Sequence, residues 1–148
     1  MAKPFSLQPL LEIMQTRTDE ATRRLGQLIA EEQNAKSRLQ LLEQYRGEYA
    51  NRFSQAAAQG LSPMAWKNFQ DFIGRIDEAI TQQRQVVASS ERNTAYGQEQ
   101  WQQQHKKLKA IDTLSDRHDA RERYREGKQE QKQLDEFSSR KAATSRQE

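Results

Sequence analysis

The chain has no cysteine among its 148 residues. That excludes disulfides and thiolate metal sites, and it agrees with a reducing compartment. Aromatic residues supply only 7% of the chain and apolar residues 34%, too little for the core of an ordinary globular domain of this length. No stretch approaches the roughly 18 apolar residues of a membrane span, and residues 1–10 lack the apolar run of a signal peptide. A cytoplasmic protein is therefore expected. A dominant charge is also missing: 24 Lys and Arg stand against 21 Asp and Glu, for a net charge of +3. Residues 1–60, 61–118 and 119–148 each hold eight basic and seven acidic side chains. No block is basic enough to track a phosphate backbone, so no nucleic-acid partner is expected. Neither of the glycine-rich phosphate-binding patterns GxxxxGK[ST] and GxGxxG occurs. His105 and His118, 13 residues apart, have no metal-ligand spacing. The reading is of a non-enzyme with no catalytic, cofactor or metal residue, since a slim helical chain offers no concave pocket where polar groups could converge.

What is present is periodicity. Core-type positions recur at alternating steps of three and four from Leu11 to Phe53, and again from Trp66 to Ile111. A mean spacing of 3.5 is the mark of one narrow seam that winds around a partner helix. The 21 glutamines would suggest disorder if the apolar residues were scattered. On one stripe per helix, they instead coat the outside of an ordered pair.

Between the two seams, residues 55–64 read QAAAQGLSPM. Gly60 can close a helix in the left-handed conformation, Ser62 can cap the next one, and Pro63 fits its first turn. So short a connection forces neighbouring helices to run antiparallel. The fold class is all-α: two long antiparallel helices forming a coiled-coil hairpin, with a helical extension and a mobile C-terminal tail. The expected bounds are a flexible N-terminus at 1–6, the first coiled-coil helix at 7–58 and a turn at 59–63. The second helix with its extension follows at 64–126, and a charged, largely mobile tail at 127–148, within which Leu134 and Phe137 could dock. Folding about this turn pairs positions whose numbers sum to 118 or 119. Phe53 then meets Trp66, Leu39 meets Ile80, Ala21 meets Gly97 and Thr18 meets Trp101, and the stretch around Ser90, Thr94 and Gly97 packs poorly. A lone monomeric hairpin is the expected state.

The two flanks of the seam differ. One carries Lys36 and Glu43 opposite Asp77, Arg84 and Glu91; the other carries Arg38 and Tyr45 opposite Phe72, Ala79 and Val86. Aromatic residues and arginine beside a packed seam are the types that dominate binding hot spots. Their contiguity with Tyr49 and Ile76 marks a partner surface near the turn.

Three strings carry a family likeness: LEQYRGEY at residues 42–49, WKNFQDFI at 66–73, and LDEF at 134–137. In order and spacing the chain resembles the flagellar type III export protein FliJ family over nearly its whole length. The resemblance implies a non-catalytic coiled-coil coupling protein of the export apparatus. Such a protein inserts into the ring of the hexameric flagellar export ATPase, promotes its assembly and links it to the export gate protein FlhA. It also implies binding of empty export chaperones, and peripheral association with the membrane-embedded apparatus through protein partners only. The gate-contact patch of the family falls on Leu42, Tyr45, Tyr49, Phe72, Ile76 and Ala79, with Arg38, Gln83 and Val86 on the same flank. Arg38 and Gln83 stand where the family pattern can have Gln and His. The alternative is a structural coiled-coil tether or self-assembling scaffold without a motor partner.

Overall fold

A computed structural model describes residues 3–147. Residues 1–2 of the expected flexible N-terminus and residue 148 of the expected tail lie outside the described residues. Two helices hold almost all the rest, α1 over Gln8–Gln59 and α2 over Pro63–Gln147, and no strand occurs among the described residues. They pack as an antiparallel helical hairpin, the all-α class that the seam periodicity requires.

The turn works through the residues that the sequence offers for it. Gly60 has φ 95°, a conformation that an L side chain resists, and its N–H returns to the carbonyl of Ala57 at 3.2 Å. Ser62 caps α2, its Oγ accepting from the N–H of Ala65 at 3.2 Å. Pro63 opens the helix, where its missing donor costs nothing.

Contacts group the chain into two units, one formed by Glu20–Gln102 and the other by residues 3–19 with 103–147. In the first, each expected seam position from Ala21 to Ile73 and on to Trp101 is buried or half-buried, with the exception of Trp66 at 44% exposure. Its buried apolar residues are Leu28, Ala35, Ile76, Ile80 and Val87. A buried Leu, Ile or Val contributes roughly 1.5–3 kcal/mol, so this unit has its firmest packing where those five lie. In the second unit Leu11, Met14, Thr18, Gln104, Leu108 and Ile111 form the matching inner stripe.

Beside the turn the register is the expected one, with the Phe53 ring on the Trp66 ring; further along the hairpin it drifts. Gly97, expected opposite Ala21, packs most closely on Leu28 and Leu25, with Ala21 lining the same small cavity. Trp101 Nε1 donates to Thr22 Oγ1 at 2.8 Å, four residues along α1 from the Thr18 expected there. From Thr94 onward, partners sit a few residues further along α1 than beside the turn. Polar anchors also cross the seam, one of them in the stretch expected to pack poorly. Thr94 Oγ1 reaches the Leu28 carbonyl at 3.3 Å, and Gln83 Nε2 donates to the Ala35 carbonyl at 3.0 Å.

Within the second unit, α2 remains helical through the segment 127–147 expected as a tail. Beyond Gly127 that segment has no glycine or proline to break it, and Gln131 Nε2 bonds to Asp135 Oδ1 one turn on at 3.2 Å. From residue 127 to 146 every side chain is exposed, Leu134 and Phe137 included. Helix formation thus extends further than the seam does.

Candidate partner-binding surface

Close to the turn, α1 presents Tyr45, Tyr49 and Phe53 at steps of four, and α2 presents Trp66, Phe69 and Phe72 at steps of three. Antiparallel packing interleaves the two sets into one ladder. Phe53 meets Trp66 edge-on with ring centroids 4.9 Å apart, and meets Phe69 at 5.3 Å. Tyr49 lies 5.3 Å from Phe69 and 4.5 Å from Phe72. Tyr45 closes the series with a T-shaped contact to Phe72 at 6.3 Å. Pairs in such geometries add about 0.5–1.5 kcal/mol each beyond the area they bury. The rings therefore hold one another rigidly while leaving surface free, and Tyr45 stays 46% exposed.

The structure sorts the residues assigned to this flank by depth. Leu42, Tyr49, Phe72 and Ala79 are half-buried. Ile76 is only 6% exposed and belongs to the core, so it supports the surface rather than offering a side chain to a partner. Arg38, Gln83 and Val86 come together around one shallow notch, also lined by Ala35 and Ser90, with Val86 48% exposed. Phe53, Trp66 and Phe69 extend the surface to the turn. By spacing alone they are plain seam residues, although the sequence carries an i, i+4, i+8 run of aromatics at 45, 49 and 53.

The opposite flank is ionic. Arg84 pairs with Glu43 at 3.4 Å and Lys36 with Glu91 at 3.9 Å. Arg46 forks onto Asp77, with Nε on one carboxylate oxygen and a second nitrogen 3.3 Å from the other. This bidentate bond, more than the charge alone, holds the Asp77 carboxyl below the usual carboxylate range, and the guanidinium is raised in return. Exposed pairs of this kind contribute little to stability. They set direction: one flank is sealed by ions, and the other is aromatic and open.

Among the described residues no group of three or more His, Asp or Glu side chains is placed to hold a metal ion. No described helix is long and apolar enough to cross a membrane. The protein is thus an all-α helical hairpin whose most conspicuous surface feature is the aromatic ladder beside the turn. The model of the flagellar FliJ protein family matches residues 3–147. The chain is also similar to the flagellar FliJ proteins of Salmonella typhi and of Escherichia coli strain K12. Each is 30% identical over 142 residues, covering 96% of this chain and 97% of the relative. The chain belongs to the flagellar FliJ family.

Proposed function

We infer that this flagellar export component is a non-catalytic coupler. Its aromatic flank seats on the cytoplasmic linker of the export gate protein FlhA, and its terminal segments engage the ring of the hexameric export ATPase and promote ring assembly. Empty export chaperones are further partners. The protein works in the cytoplasm, held at the membrane-embedded apparatus through these proteins alone.

The observation that carries this reading is the asymmetry of the flanks near the turn. Tyr45, Phe72, Val86 and Arg38 offer aromatic, aliphatic and guanidinium groups on one side, where the other side is consumed by internal ion pairs. Rigid, partly exposed aromatics bind at low entropic cost, since little side-chain freedom remains to be lost.

The test is a pair of variants, Tyr45→Ala and Phe72→Ala, assayed for capture of the FlhA linker and for stimulation of the ATPase. Each should weaken FlhA capture tenfold or more while helix content and ATPase stimulation hold. Unchanged capture in both variants would refute the assignment of this flank.

A further inference from the structure

Residues 3–5 precede α1 without helical structure, and they lie on α2. Three contacts hold them there. The Lys3 N–H donates to Glu122 Oε2 at 3.3 Å. His118 Nε2 bonds to the Lys3 carbonyl at 2.8 Å, which makes the ring nitrogen the donor. The Phe5 ring tilts against the His118 ring with centroids 5.4 Å apart. Residues 6–7 form the turn between this segment and α1, in which the Phe5 carbonyl accepts from the Gln8 N–H at 3.1 Å.

We propose that residues 3–5 are a releasable strap, which closes over α2 at His118 and Glu122 and opens about residues 6–7 while both helices stay folded.

Two features keep the closed and open states close in free energy. Closed, the strap lies over Glu122, a residue only 9% exposed, whose carboxylate is met by the Lys3 N–H and by Arg125 at 3.5 Å, offsetting its desolvation. Opening returns that carboxylate to water and recovers part of what the lost bonds cost. The attachment is also sparse, because Lys3 is exposed, Phe5 is half-buried and Pro4 brings no donor. Segments with few buried contacts open locally, well below the global unfolding free energy. Opening exposes Glu122, His118 and the Phe5 ring together. Any partner that engages the α2 face at 118–122, or the strap itself, then shifts the strap by the difference in its affinity for the two states. The strap needs no particular partner and is separate from the coupling role.

Amide exchange and ring contacts of the intact chain, followed by NMR, decide the matter. The Lys3 amide should exchange at least tenfold slower than in a free peptide of residues 1–8, at a rate insensitive to low denaturant, and far faster than amides near Ile80. Phe5→Ala should speed Lys3 exchange about tenfold, with α2 amides around residue 118 unchanged. If that variant loses helix content, Lys3→Pro decides instead. It removes the N–H that Glu122 accepts and should weaken the Phe5–His118 ring contact. Exchange of Lys3 at the free-peptide rate would overturn the closed state. Exchange only through global unfolding, or a ring contact indifferent to Lys3→Pro, would overturn the release.

Discussion

Replacing Gly97 by alanine sets two effects of opposite sign against each other, and the structure says which prevails. A glycine inside a helix costs about 0.8–1.0 kcal/mol relative to alanine, so the substitution begins with a gain of that size. At Gly97, however, the new methyl would lie 2.5 Å from Leu28 Cδ1. Leu28 is itself buried, so it cannot simply swing into solvent, and overpacking of this kind costs about 1–3 kcal/mol. The net expectation is a loss of about 1 kcal/mol. Gly26 and Gly74 provide the control, since a methyl there meets nothing within 4 Å; each should gain up to about 1 kcal/mol on becoming alanine. The separation of about 2 kcal/mol corresponds to about 4–8 °C in Tm for a chain of this size. Thermal unfolding followed by circular dichroism resolves it. Combining Gly97→Ala with Leu28→Ala tests the cause: the double variant should lose less than the two losses added, by about 1 kcal/mol or more. If Gly97→Ala raises Tm as much as Gly74→Ala does, the close fit to Leu28 and the register built on it are wrong.

Acid sensitivity should report on the fork between Arg46 and Asp77. A carboxyl whose folded pKa is depressed contributes stability that is present above its unfolded value, about 3.9, and that is lost as pH falls through the lower folded value. Asp77→Asn should therefore narrow the stability difference between pH 5 and pH 2 relative to the parent chain, as read from urea midpoints; an unaltered pH dependence would refute the link. Hydrogen exchange should separate the exposed helical segment 127–147 from the packed seam. Its amides are expected to exchange at least a hundredfold faster than those at Ile76 and Ile80, and equal protection would mean that the segment is held by contacts beyond its own helix.

The helices could be read from the sequence because the 3.5-residue spacing that shows a seam is also what buries it. Spacing places Thr18 and Thr94 on the inner stripe despite their polarity, and there they lie, Thr18 buried and Thr94 half-buried. Trp66 is the exception, because it sits in the first turn of α2, beside the bend, where a helix edge faces solvent. The register was less legible. A drift of a few residues between the turn and Trp101 alters no periodicity, yet it decides that Gly97 meets Leu28. The placement of Tyr45 across from Phe72 could be anticipated, since aromatic rings span several ångströms and meet across a range of registers. The continuous ladder down to Trp66 needed the coordinates. So did the attachment of residues 3–5 to His118 and Glu122, because nothing in LysProPhe specifies where an irregular segment will lie.

The polar bonds across the seam of Glu20–Gln102 have a consequence for alignment. Gln83 and Thr94 donate to main-chain oxygens of α1, and a helix repeats that acceptor at each turn. After a slip of one whole turn, both donors would find an equivalent oxygen waiting. The concavity at Gly97 and the interleaved rings have no such duplicate. Polar rungs therefore keep the two halves joined whatever their phase, while a single shape match and six aromatic side chains act as the vernier that selects one setting.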